Sequence, residues 1–80
     1  MACLKLEIYQ VRNGMWRKPF TSDVTETQMS EVRSYFAQNG MGIEEEKGIF
    51  RVEFPFLRVA VKVLAREHQI KFVEGKARMV

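Results

Sequence analysis

The stretch from Ile49 to Val73 constrains the fold most, because its hydrophobic period changes twice. Within Ile49–Phe54, apolar and polar side chains alternate from Phe50 onward, and a period of two is typical of a strand with one buried face. Pro55 follows, and a proline ends a strand but suits the first turn of a helix. The sequence therefore predicts a strand that leads directly into a helix.

A helix is predicted from Phe56 to His68, where most side chains are apolar. Its basic side chains keep a spacing of four residues and form one narrow stripe, which consists of Arg58, Lys62 and Arg66. A helix that is apolar outside one stripe is expected to be largely buried. A strand is the alternative interpretation, because Val59, Val61 and Val63 alternate and are β-branched. The length of the apolar run and the spacing of the basic residues favour the helix.

The chain after this helix returns to alternation in Gln69–Val73, which predicts another strand. Glu74-Gly75 fits a tight turn or a bulge. Two outcomes stay open for Lys76–Val80, which either pairs back as a last short strand or remains loose.

A β-hairpin is predicted near the N-terminus. Leu4–Arg12 alternates between apolar and polar side chains, Asn13-Gly14 follows, and Met15–Arg17 is again strand-like. Asn-Gly favours a type I′ turn, because both residues tolerate positive φ. The two runs are therefore expected to pair with each other, and Pro19 marks the second one as short or as an edge strand.

Thr21–Thr25 is interpreted as a polar connector that leads into the first helix. Two overlapping capping-box patterns, Asp23 to Glu26 and Thr25 to Gln28, place the start of that helix here. Asn39-Gly40 is a typical helix end. The predicted buried face of this helix consists of Met29, Val32 and Phe36, with Tyr35 at its margin.

Met41–Gly48 has two open interpretations, a loop or a strand that pairs with Ile49–Phe54 through Lys47-Gly48. The predicted element order is ββαβαβ, with a last short strand as an optional addition. This order predicts an α+β two-layer sandwich, in which two helices pack on one face of a mainly antiparallel sheet. Because 80 residues suffice for one core, residues 1–80 are expected to form a single domain.

Cysteine content and hydropathy predict a soluble cytoplasmic protein. Cys3 is the only cysteine, so an internal disulfide framework is excluded. The sequence has neither a run of roughly 18 apolar residues nor the apolar core of a signal peptide, so a membrane location is not expected.

Positive charge is concentrated in the second half of the chain, whose overall net charge is +3. Residues 1–48 carry six Lys or Arg and seven Asp or Glu, a balance of −1, whereas residues 49–80 carry seven and three, a balance of +4. This asymmetry indicates a basic face, although the face is weaker than a typical nucleic-acid-binding arm.

Residue types that usually carry catalysis are sparse. His68 is the only histidine, and with Cys3 and Glu44–Glu46 it matches no metal-ligand spacing. The five glycines occupy turn-like positions, so a phosphate-binding loop is not indicated. We therefore expect neither an enzyme, nor a metal site, nor a cofactor.

Two surfaces are candidates for partner binding. The predicted hairpin combines aromatic and basic side chains, which suit protein interfaces and base stacking equally well. These residues are Tyr9, Arg12, Trp16, Arg17 and Lys18. The second surface suits phosphates and consists of Arg51, Arg58, Lys62, Arg66 and Lys71. Each surface also has a purely structural interpretation, since Trp16 can cover the core and a buried helix needs a solvated stripe.

The leading hypothesis is a small non-enzymatic binding protein that regulates or inhibits a protein or nucleoprotein partner, as phage- and plasmid-encoded accessory proteins do. It would use the hairpin and the basic stripe. The alternative is a nucleic-acid-binding protein that uses the same two features. A second alternative is a structural homodimer through an edge strand, for which Met15–Phe20 and Lys76–Val80 are the candidates.

Overall fold

The computed structural model describes residues 3–10, 16–76 and 78–79, of which residues 16, 17, 78 and 79 are described by their backbone. It confirms the predicted α+β class with two helices packed on a mixed, mostly antiparallel sheet. The elements are β1 (Leu4–Gln10), β2 (Trp16–Arg17), β3 (Phe20–Val24), α1 (Glu26–Gln38), β4 (Glu44–Glu46), β5 (Ile49–Phe54), α2 (Leu57–His68), β6 (Val73–Glu74) and β7 (Arg78–Met79).

The main sheet has five strands in the order β4-β5-β1-β3-β6. Its central strand, β1, runs parallel to β5, with Lys5 opposite Ile49 and Gln10 opposite Phe54. The other pairs in this sheet are antiparallel. The first strand of the chain therefore lies beside the strand that opens the most constraining stretch of the sequence.

Phe20–Val24 forms β3, so the prediction of a polar connector over Thr21–Thr25 is wrong. β3 lies between β1 and β6 and pairs with β1 from Leu4 opposite Val24 to Ile8 opposite Phe20. Its Thr21 and Ser22 side chains are buried, and the Thr21 hydroxyl donates to the backbone carbonyl of Val73 at 3.4 Å. Alternation of apolar and polar residues does not identify a strand whose buried residues are polar.

The turn predicted at Asn13-Gly14 lies outside the described residues, so the structure describes only part of the predicted hairpin. The strand beyond it, Trp16–Arg17, pairs with Arg78–Met79 in a separate two-stranded sheet, and not with the first strand as predicted. Of the two outcomes predicted for Lys76–Val80, the structure shows the short last strand, β7. These pairings are non-local, and turn chemistry alone does not determine them.

α1 confirms the predicted helix, including the second of the two capping boxes. Thr25 is the N-cap, its hydroxyl accepts a hydrogen bond from the Gln28 amide at 3.1 Å, and the Gln28 side chain accepts one from the Thr25 amide at 3.0 Å. Its buried residues are the predicted Met29, Val32 and Phe36. The helix ends at Gln38, with Asn39 as its C-cap, and Gly40 follows with φ of 76°.

Of the two interpretations of Met41–Gly48, the strand is confirmed, over Glu44–Glu46. β4 pairs antiparallel with β5, with Glu46 opposite Ile49, so Lys47 and Gly48 form a two-residue turn. Their φ angles are 54° and 79°. Positive φ at both positions is typical of a type I′ turn, which matches the twist of the strands it joins.

α2 confirms the predicted helix and excludes the strand alternative, but the prediction that it is largely buried is wrong. Leu57, Ala60 and Leu64 are its buried residues. Phe56 remains 65% exposed and Val59 56% exposed. Both helices pack against one face of the sheet, so each helix buries only the side that faces the shared core.

The strand predicted over Gln69–Val73 is shorter than expected. Gln69 takes a left-handed conformation with φ of 56° and caps α2, and Ile70 is buried in the core. Strand geometry begins only at Val73. Gly75, which was predicted to form a tight turn or a bulge with Glu74, directly follows β6, and its amide donates to the carbonyl of Pro19, just before β3, at 2.7 Å.

The core fills the space between the sheet and the two helices. Side chains of β1, β3, β5, α1 and α2 join one buried cluster, and its largest fully buried members include Phe36, Leu6, Ile8 and Leu64. The Gln28 side chain near the start of α1 donates to the His68 carbonyl at the end of α2, at 3.2 Å. Because Leu57, Ala60 and Leu64 face the core, the opposite side of α2 faces solvent.

Candidate functional site

The outward face of α2 carries two stripes that run side by side along the helix. We call Arg58, Lys62 and Arg66 the basic stripe. Val59 and Val63, together with Phe56, the N-cap residue just before the helix, are called the apolar stripe. Because successive residues of a helix are about 100° apart, Val59 falls beside Lys62 and Arg66, whereas Val63 falls between Arg66 and the buried Ala60. The basic side chains are exposed and Val63 is half-buried.

The local sequence explains why this face points outward. The spacing of three and four residues between Leu57, Ala60 and Leu64 places their side chains in the core. The same segment holds more apolar residues than that face can accommodate. The remaining apolar residues, which include the apolar stripe, are half-buried or exposed.

The charges of the basic stripe are largely free to act outward. In the part of the chain that the structure describes, Arg58 and Lys62 make no ion pair. Arg66 lies 3.9 Å from Glu67, and both of these side chains are exposed. An exposed pair of this kind contributes little to stability and is screened by salt. The stripe therefore presents positive charge along about two turns of helix.

Phe56 is exposed but packs on aromatic residues of the core. Its ring meets that of Phe54 edge-on at 6.0 Å between centroids. Phe54 in turn meets Phe36 at 5.2 Å and Tyr35 at 6.4 Å. Edge-to-face pairs at such distances are favourable. The aromatic end of the apolar stripe is thus supported from beneath.

Of the predicted hairpin site, the structure describes the side chains of Tyr9 and Lys18. Tyr9 is 3% exposed, and its hydroxyl donates to Glu7 Oε1 at 3.0 Å, so its side chain is almost inaccessible to a partner. Arg12 lies outside the described residues, and only the backbone of Trp16 and Arg17 is described, in β2. Lys18 is exposed.

The predicted basic surface is divided between two sides of the molecule. Arg51 lies on the face of the sheet opposite the helices, where its Nε donates to Glu7 Oε1 at 3.1 Å. Lys71 is exposed on the segment between α2 and β6. The residues that the structure does align are the three of the basic stripe.

Sequence reasoning did not identify the apolar stripe as a candidate surface. The available signal was the number of apolar residues in Phe56–Ala65, which exceeds what one buried face of a helix requires. It also missed the cluster of Glu7, Tyr9 and Arg51, because a single glutamate in an alternating strand looks like an ordinary solvent-facing residue.

Comparisons with known proteins give no information on the outward face of α2, so its chemistry alone is used to interpret it. No family model matches the chain, and no curated protein or solved structure is significantly similar to it. Among the described residues, no helix has the length and apolar character needed to cross a membrane. Within those same ranges, His, Cys, Asp and Glu side chains do not form any group of three that could hold a metal ion.

Proposed function

We propose that this protein is a small non-enzymatic binding protein that regulates or inhibits a protein partner by occupying part of its surface. The contact is made by the outward face of α2. The observation that carries the proposal is the exposure of Val59 beside Lys62 and Arg66, with the exposed ring of Phe56 at the start of the same helix. Burial of exposed apolar surface is the main driving force for association, and the partner would supply it.

The chemistry of this face suits a protein partner with an acidic, partly apolar surface. Aromatic and arginine side chains are enriched at protein interfaces, where a few anchors dominate the binding energy. Phe56 is such an anchor, since the aromatic core supports its ring. The positive charges of Arg58 and Lys62 would steer an acidic partner and set its orientation.

A second candidate function, nucleic-acid binding, is supported by the basic stripe and by the exposed ring of Phe56, on which a base can stack. Three exposed cations at a spacing of four residues can contact phosphates and release counterions. Val59 and Val63 have no role in that mode, because phosphate recognition uses charge and base stacking uses aromatic or guanidinium planes. The protein partner therefore accounts for more of the observed surface.

Site-specific photocrosslinking in extract of the producing organism tests the proposal. A photoreactive phenylalanine analogue replaces Val59 on α2, and in a matched control it replaces the exposed Ser30 on α1. We expect a discrete protein adduct from position 59 that is lost when Lys62→Glu and Arg66→Glu are added. Equal adduct yields from both positions would count against α2 as the contact surface. So would an adduct from position 59 that persists after Lys62→Glu and Arg66→Glu.

Fluorescence anisotropy with mixed DNA and RNA oligonucleotides over a salt series separates the two candidate functions. Nucleic-acid binding predicts affinity that falls steeply with salt and is abolished by Lys62→Glu with Arg66→Glu. It also predicts that Val59→Ser has little effect. If binding near physiological salt follows that pattern, the nucleic-acid function replaces the protein-binding one.

A further inference from the structure

We infer that the segment received by α2 is an amphipathic helix of the partner, with acidic residues along one flank of a short apolar stripe. This inference rests on the proposed function and specifies the form of its partner. Three observations support it. They are the spacing of the apolar stripe, the absence of free backbone groups inside a helix, and the position of the positive charge on one side of that stripe.

The spacing of the apolar stripe fits a second helix. Val59 and Val63 are four residues apart on α2, and Phe56, the N-cap residue, precedes Val59 by three; three and four residues are the spacings with which side chains of two helices interlock. From the first to the last of them the rise is about 10 Å, or roughly two turns. Such a narrow stripe matches the contact line of a crossing helix better than a broad flat interface.

An extended peptide is a poor occupant of this face. Added strands bind by hydrogen bonds to free backbone groups at a sheet edge, whereas the interior of a helix uses its backbone groups internally. An extended peptide laid on α2 would lose water from its own N–H and C=O groups without gaining partners for them. A helical peptide has already satisfied those groups and can bury its side chains alone.

The charge of α2 determines which flank of the partner helix is acidic. The basic stripe lies along one side of the apolar stripe, so acidic residues are favoured on the matching side of the partner. A second copy of α2, packed antiparallel about a two-fold axis, would instead place both basic stripes on the same side of the contact. Like charges repel there, so a partner of opposite charge is favoured over a copy of the chain.

Three synthetic peptides of about 18 residues test the inference, since shorter helices are marginal in water. The first has leucines at the three-and-four spacing with glutamates on one flank. The second replaces those glutamates by lysines, and the third scrambles the first so that charge is kept and amphipathicity is lost. Anisotropy of the labelled peptides gives Kd values for the full chain, and circular dichroism reports helix formation.

We expect the first peptide to bind at least about tenfold more tightly than the other two and to gain helicity on binding. Val59→Ser and Lys62→Glu should each weaken it by about tenfold, as loss of an interface anchor does. Their matched controls are Val73→Ser, at an exposed valine on β6, and Lys47→Glu, at an exposed lysine of the β4–β5 turn. The controls should leave the Kd unchanged.

The outcomes separate this inference from the function on which it rests. Equal binding of the first and scrambled peptides would overturn the helical occupant, because general charge attraction would then suffice. If all three peptides fail to bind while the crosslink from position 59 persists, the helical partner is wrong and the protein-binding function stands. Failure of both the peptides and the crosslink removes both proposals.

Discussion

Arg51 and Glu7 form a hydrogen-bonded ion pair between two parallel strands, with Arg51 Nε 3.1 Å from Glu7 Oε1. The Glu7 side chain is only 4% exposed, whereas that of Arg51 is 37% exposed. The Tyr9 hydroxyl donates to the same carboxylate oxygen. A buried carboxylate requires such donors, because desolvation of an unpaired charge is costly.

A double-mutant cycle with Glu7→Gln and Arg51→Gln should give a coupling energy of about 1.5–3 kcal/mol, toward the lower end because Arg51 reaches solvent. Urea unfolding of the four proteins measures it. The control cycle uses Lys5→Gln and Asp23→Asn, since that pair lies 3.7 Å apart with both side chains exposed. The control should stay below about 1 kcal/mol, and equal couplings for the two pairs would refute the special role of the buried carboxylate.

Gln28 should stabilise the fold in two separable ways. Its side-chain oxygen accepts from the Thr25 amide at the helix cap, and its side-chain nitrogen donates to the His68 carbonyl of α2. Gln28→Ala removes both contacts and should lower the free energy of unfolding by about 1–2 kcal/mol. Gln28→Glu keeps the acceptor and loses the donor, so its loss should be smaller. Thermal and urea unfolding compare them, and equal losses would contradict a contribution from the cap.

Gly48 should be required by the backbone of the β4–β5 turn and not by space. Its φ is 79°, and a Cβ built there meets nothing within 4 Å. Gly48→Ala should therefore cost about 1–2 kcal/mol through left-handed backbone strain alone. Gly42→Ala is the matched control, because a Cβ there also meets nothing and no positive φ is required. Gly42→Ala should be neutral or slightly stabilising by urea unfolding, and a similar cost at both positions would argue against the type I′ turn.

Gly75 should be required by close packing and not by its backbone conformation. A Cβ at this position would lie 3.0 Å from Thr21 Cγ2 and 3.2 Å from Pro19 Cγ. Gly75→Ala should force β6 away from β3 and cost about 1–3 kcal/mol. Faster hydrogen exchange at the Gly75 amide, which donates to the Pro19 carbonyl, would accompany that loss. An unchanged free energy of unfolding would show that β6 can shift freely.

The elements predicted correctly are those with strong local signals. α1 has a capping box, an apolar period near 3.6 and an Asn-Gly end, and each of these depends on residues a few positions apart. The β4–β5 turn also has a local cause, positive φ at Lys47 and Gly48, but the sequence left a loop and a strand both open for Met41–Gly48. Such signals act within one or two turns of chain, so they are readable without the fold.

The errors concern burial and pairing between distant residues. Thr21 and Ser22 look solvent-facing in sequence, yet β3 is an interior strand because β1 and β6 flank it. Trp16 follows an Asn-Gly signal but pairs with Met79. The basic stripe was predicted, whereas Arg51 was grouped with it although the alternation of β5 turns this side chain to the opposite face.

The sequence by itself determined where both helices and the strands β1, β2 and β5 form, since periodicity, capping and turn chemistry are properties of neighbouring residues. Only the tertiary structure decided that β1 lies parallel to β5 and that α2 buries Leu57, Ala60 and Leu64 while exposing Phe56 and Val59. The physical reason is that an apolar helix with more than one candidate face buries the face that the rest of the core can cover. That choice depends on contacts among residues far apart in the chain, and it places the apolar stripe beside the basic stripe.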